Sequence, residues 1–161
     1  MDGAKTELGK ENFDIIIASD ILEHIENDIA ALAAWNRTLK QGGRIIIFVP
    51  AFRFLWTGHD EANRHFRRYS KLELLALLKK NNFEIERSSY WNFSLFLPIG
   101  LTRIFEKAFS KNKKNMRDQL YELKPAINQI LTNVLSVENR ILKVVDLPVG
   151  LSVFAIARKK R

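Results

Sequence analysis

Phe13–His24 reads FDIIIASDILEH, and its two halves are chemically unlike. FDIIIAS is a short, nearly continuous apolar run rich in β-branched residues, the pattern of a strand buried on both faces of a parallel sheet. The rest opens the acidic stretch ASDILEHIEND, Ala18 to Asp28, which poses three options: a catalytic carboxylate cluster, a metal site, or the rim of a cofactor pocket. Downstream, Asn27 or Asp28 can cap a helix whose apolar positions are Ile29, Leu32, Ala33, Trp35 and Leu39, with Gly42 as its expected C-terminal stop. A second buried strand, Arg44–Val49 (RIIIFV), ends at Pro50. Strand, helix and strand in so short a span make a βαβ unit, which is parallel and right-handed.

Further along, Ala51–Tyr69 shows no clear period and is expected to be a long loop with one short turn of helix; long loops in compact domains tend to carry function. Ser70 and Glu73 form a capping box for a leucine-rich helix that stops at Asn81/Asn82. Phe83–Trp91 alternates as a strand, and Gly150–Arg158 (GLSVFAIAR) reads as a last one. Between them lie two helical stretches, Phe93–Phe109 and Ala126–Val145, separated by the polar run SKNKKN; Pro125 suits a first-turn position.

Composition narrows the function classes. Hydrophobic residues make up 47% and charged residues 27% of 161 residues, which is globular and enough for one domain with a real core. There are no cysteines, so disulfides, thiolate zinc sites and cysteine nucleophiles are excluded. The N-terminus carries no apolar segment of the secretory kind, and the apolar-rich Tyr90–Phe105 falls short of the roughly 20 residues a spanning helix needs. A cytoplasmic location follows as the expectation. The net charge of +8 favours acidic partners, but the basic residues interleave with no stacking aromatics, so no nucleic-acid partner is expected.

FDIIIASDILEHI followed by LKQGGRIIIFVP resembles the second half of a class I S-adenosylmethionine (SAM)-dependent methyltransferase, where the fourth strand ends in a D-x-L-E-H-type segment and an L-K-P-G-G turn precedes the fifth. Gln41 stands where that family usually has proline. The resemblance continues through HDEANRHFRRYSKLELLALLKKNNFEIE and LPVGLSVFAIARKK. It implies an α/β, partial Rossmann-like fold over a single domain of residues 1–161, with a mostly parallel sheet, an antiparallel last strand and a helical insertion at 93–145. None of the seven glycines forms the family's G-x-G-x-G cofactor turn, so the chain is expected to begin near the family's fourth strand and to bind SAM weakly or not at all alone.

The same resemblance implies site residues. Ala18, Ser19 and Asp20 would border the methionine end of the cofactor, and His24 would face the acceptor as a candidate base; imidazole titrates near neutrality. The plainer alternative is that Asp20 and Glu23 favour a helix start by charge. His65 and Tyr69 join His24 as candidate catalytic groups, and His59, Asp60, Arg67 and Arg68 as a substrate clamp; equally, Arg67 or Arg68 could pair with Asp60 or Glu61 to pin the loop. No metal is expected, since HDEANRH lacks the i, i+4 histidines of H-E-x-x-H. Trp91, Phe93, Leu95, Phe96, Leu97, Ile99, Leu101, Ile104 and Phe105, beside Arg103, Lys107, Lys111, Lys113 and Lys114, resemble an anchor lying on a membrane surface. The expected function is methyl transfer to a small-molecule or lipid-like acceptor, with a non-catalytic, membrane-associated or partner-binding remnant as the alternative. The apolar edge at Phe13–Ser19 further predicts a homodimer or a complementing N-terminal chain.

Overall fold

The computed structural model describes residues 11–109 and 124–160. Its four strands are β1 (Phe13–Ser19), β2 (Leu39–Pro50), β3 (Phe83–Trp91) and β4 (Ser152–Lys159). Its helices are α1 (Asp28–Thr38), α2 (Gly58–Ala62), α3 (Lys71–Lys80), α4 (Phe93–Phe109) and α5 (Pro125–Leu142), with 3₁₀ turns at Leu22–His24 and Arg53–Leu55. The sheet order is β1-β2-β4-β3, with β1 parallel to β2 and β4 antiparallel to both its neighbours. Three strands therefore point one way and the last is inserted against them, as expected of the partial Rossmann-like fold.

Local chemistry sets most boundaries. The Asn27 side chain accepts from the Ala30 N–H at 2.9 Å and starts α1. Ser70 and Glu73 form the reciprocal capping box of α3, and Asn82, at φ 60°, turns the chain out of that helix. Gly42 does not stop α1, contrary to expectation: the helix ends at Thr38 and Leu39 already pairs with Phe13. Gly42, at φ 75°, instead sits in an irregularity of β2, where the step from Phe13 to Ile15 is matched by that from Leu39 to Arg44. A side chain on Gly43 would lie 2.9 Å from the Lys40 carbonyl oxygen, so both glycines serve this bulge.

The core lies between the sheet and the helices, with Leu22, Leu32, Ile45, Ile47, Leu74, Leu78, Phe83 and Val153 fully buried. Each such side chain contributes about 1.5–3 kcal/mol relative to exposure. β1 departs from the expectation of burial on both faces. Ala18 is buried and Ile16 packs against the core, but Ile15 is 53% and Ile17 67% exposed. The strand is the sheet edge, and its second face is uncovered among the described residues.

Residues 51–69 are not a loose loop. Phe52 N–H donates to the Tyr69 carbonyl and Tyr69 N–H to the Pro50 carbonyl, both at 3.0 Å, so the excursion closes on itself beside the end of β2. The predicted insertion is a helix pair. Glu138 on α5 accepts from the backbone N–H of Phe93 (2.9 Å) and Ser94 (2.8 Å), capping α4 from a different helix. Arg87 of β3 anchors the end of α5 through Asp146 at 3.0 Å and the Leu142 carbonyl. Gly150 lies so close to β3 that an added Cβ would sit 2.2 Å from the Trp91 carbonyl oxygen. The SKNKKN run and Lys111, Lys113 and Lys114 lie outside the described residues.

Candidate active site

The chain leaves β1 through Asp20, whose φ of 50° is the left-handed conformation that Asp tolerates better than most residues. Its N–H still donates to the Phe48 carbonyl at 3.0 Å, so the turn stays fastened to the end of β2. The 3₁₀ turn that follows plugs Leu22 into the core. Glu23, next in line, is 1% exposed, while His24 and Asp20 reach solvent. These three side chains, with His59, His65 and Arg68, line a cavity of about 460 Å³ at the carboxyl ends of β1 and β2.

The opposite wall is built on Asp60. Its carboxylate is fully buried and accepts from Thr57 N–H (2.8 Å), from Arg68 Nε (2.8 Å) and Nη2 (3.0 Å), and from His65 Nδ1 (2.9 Å). Burial alone would raise its pKa, but the Arg68, Thr57 and His65 hydrogen bonds outweigh it and hold the carboxyl below its ordinary value. The bond to Asp60 fixes Nδ1 of His65 as the protonated nitrogen and leaves Nε2 as the free one. Phe66 N–H donates to the Glu23 carbonyl at 2.8 Å, tying this wall to the β1 turn. The His24 and His65 rings meet edge to face with centroids 4.5 Å apart.

Glu23 stands apart. Neither of its carboxylate oxygens has a hydrogen-bond partner. Burial, reinforced by Asp20, outweighs the pull of the residue's own nearby backbone N–H and of Arg68 and pushes its pKa up to about 7.

The expected catalytic group of His24, His65 and Tyr69 divides between two cavities. His24 and His65 share the first, whereas Tyr69 lines a second, of about 570 Å³, with Asp28, Arg53, Trp56 and Arg67. Tyr69 is buried and donates to Asp28 Oδ2 at 3.0 Å; burial and then the Asp28 carboxylate raise its pKa, so it keeps its proton and does not suit a base. Arg67 pairs with the same Asp28 oxygen at 2.7 Å. The expected substrate clamp is likewise divided. Asp60 touches neither cavity because its oxygens are taken by its own loop, while His59 and Arg68 face the first cavity. Arg68 makes the expected internal pair with Asp60, whereas Arg67 pairs with Asp28 and not with Asp60 or Glu61.

Of the cofactor candidates, Ala18 is buried and offers only backbone, while Ser19 and Asp20 are exposed and linked by a 3.2 Å hydrogen bond. Their polar atoms are open to a ligand on one side, and among the described residues no alternating-glycine turn faces them. Two residues of consequence, Glu23 and Asp28, were read from sequence only as helix-start groups. Glu23 was readable from its place after a core leucine in D-x-x-E-H, whereas Asp28 as partner to Tyr69 and Arg67 depends on contacts across 41 and 39 residues.

A family model described as a methyltransferase domain matches residues 2–88, just over half of the chain. No curated protein sequence matches it. Among solved structures, a methyltransferase candidate of Bacillus halodurans C-125 is similar at 16% identity and a TM-score of 0.56, over 100% of this chain and 76% of that one. The SAM-dependent methyltransferase of Thermotoga maritima is similar at 20% identity and a TM-score of 0.57, covering 98% of this chain and 61% of that one. Phosphoethanolamine N-methyltransferase 2 of Haemonchus contortus, solved with SAM, is similar at 17% identity and a TM-score of 0.54, and this chain spans 36% of its length. At such identities the likeness is one of fold.

Proposed function

Since the chain belongs to the methyltransferase-domain family, we propose that its first cavity is the acceptor side of a SAM-dependent methyl-transfer site. The observation that carries this reading is the convergence of Asp20, His24 and His65 on one cavity at the carboxyl ends of parallel strands, where α/β sheets bind ligands. Ser19 and Asp20 would hold the methionine end of SAM, which supplies an electrophilic methyl group when bound. His24, on the exposed side of the turn, accepts a proton from an acceptor that must lose one. Asp60 and Arg68 keep His65 in place, so the wall is already organised before any ligand arrives.

The acceptor class we assign is a small or lipid-like molecule. α4 lends Ile99 to the cavity and packs against α5, and the two helices leave Leu97, Leu101, Phe105, Ile130, Val134 and Val137 exposed. No described helix is long and apolar enough to cross a membrane. The exposed apolar faces themselves suit lying on a membrane surface, and we assign them a peripheral site on the cytoplasmic leaflet. Because Ser19 and Asp20 form one wall only among the described residues, the chain alone binds the cofactor weakly. Amide NMR with S-adenosylhomocysteine tests the assignment. Shifts confined to Ala18–His24 and residues around His65 are expected; no shifts at saturating ligand, or shifts centred on the second cavity, would refute it.

A further inference from the structure

Beyond that reading, and as a different occupancy of the same cavity in which His24 ligates instead of accepting a proton, we propose that Glu23, His24 and His65 form a binding site for one divalent transition-metal ion of zinc-like preference. One ligand atom from each of the three residues lies within 4.8 Å of the others. Bonds of about 2.0–2.2 Å to a common ion would bring such atoms to within about 3.5 Å, a closure that side-chain rotation can supply.

Two independent features single out this cluster. The Glu23 carboxylate is 1% exposed and both its oxygens lack partners, an arrangement natural proteins avoid unless something else satisfies the group. A cation bound from the cavity side would satisfy it. His65 is prepared as a ligand: its Nδ1 is bonded to buried Asp60 and its Nε2 is left free, the carboxylate–histidine pairing that orients metal-binding imidazoles. Asp60 is in turn held by Arg68 and Thr57, so the orienting shell is complete without the ion.

The donor set is two imidazoles and one carboxylate, which suits zinc and its first-row neighbours and not calcium or magnesium, whose sites are built from oxygen. Three protein ligands leave at least one coordination position open. That position faces the 460 Å³ cavity, where exposed Asp20 or a solvent oxygen can complete the shell.

The test uses the full chain, tag-free and stripped with EDTA, in the absence of any methyl donor, so its outcome is separate from that of the methyl-transfer reading. Titration with Zn²⁺ by calorimetry, and with Co²⁺ by visible d–d absorption, should give one equivalent bound. Glu23→Gln and His24→Ala should each weaken binding at least tenfold. Asp60→Asn should weaken it by about 10–100-fold through His65. Should a variant fail to fold by circular dichroism, Co²⁺ broadening of wild-type amide signals decides: loss confined to residues 20–24 and 65–66 supports the site. No binding of Zn²⁺ or Co²⁺ at millimolar metal, broadening centred elsewhere, or unchanged affinity in folded Glu23→Gln and His24→Ala overturns it.

Discussion

Replacing Asp60 by Asn removes one charge from a carboxylate that carries the whole 51–69 excursion. Arg68 is left with its side chain 13% exposed and its counter-charge gone. His65 loses an ionic acceptor, and the Thr57 N–H keeps at best a neutral one. Breaking a buried pair by removing one member costs about 3–5 kcal/mol, because an uncompensated charge stays inside. The asparagine amide recovers a little of this by accepting from one donor, so the expected loss is about 3 kcal/mol. With an m-value of about 1.5–2 kcal/mol/M, the urea midpoint should fall by roughly 1.5–2 M. Equilibrium urea unfolding in EDTA, followed by the fluorescence of Trp35, Trp56 and Trp91, measures it. Arg68→Met in the Asp60→Asn background should then restore more than about 1 kcal/mol, since the stranded cation is gone. A single-variant loss below about 1 kcal/mol, or strict additivity in the double variant, would refute the pairing as the support of this wall.

Three further outcomes follow from other parts of the fold. The Glu138 carboxyl is buried, which alone would raise its pKa, but the bonds from Ser94 and Phe93 outweigh this and lower it from 4.5. Its stabilisation is therefore present above pH 4.5 and is lost as pH falls through the lower folded value; Glu138→Gln should cost about 1–2 kcal/mol at pH 7, a gap that closes in acid unfolding curves. Ile17→Lys places a charge on the exposed edge strand and should reduce self-association in sedimentation velocity, whereas an unchanged profile would remove β1 as the contact. Flotation with anionic liposomes should recover the wild-type chain and lose it on combined Leu101→Asp and Ile130→Asp substitution; equal recovery would argue against the helix faces as a membrane contact.

The strands were legible because each is dictated by its own residues. Phe83–Trp91 was readable to its ends, and the Ser70/Glu73 box marked α3, since both signals act over a few positions. Gly42 misled for the same reason: a glycine after an amphipathic run signals a helix stop locally, and only the pairing of β2 with β1 shows it serving a bulge. The exposure of Ile15 and Ile17 was also hidden, because an apolar run records what a strand is suited to meet and not what meets it. At the site, D-x-x-E-H located the cavity from sequence. The division of His24 and His65 from Tyr69 was not legible, since Asp28 and Asp60 choose their partners through space.

Arg68 borders both cavities while its guanidinium grips Asp60. The two chambers therefore share one post. A carboxylate or phosphate that entered the second chamber and drew Arg68 toward itself would loosen Asp60, and with it the imidazole of His65 next door. Occupancy of one chamber would thereby be felt in the other, and by thermodynamic reciprocity whatever steadies His65 would tighten the hold on Arg68 and disfavour the rival anion.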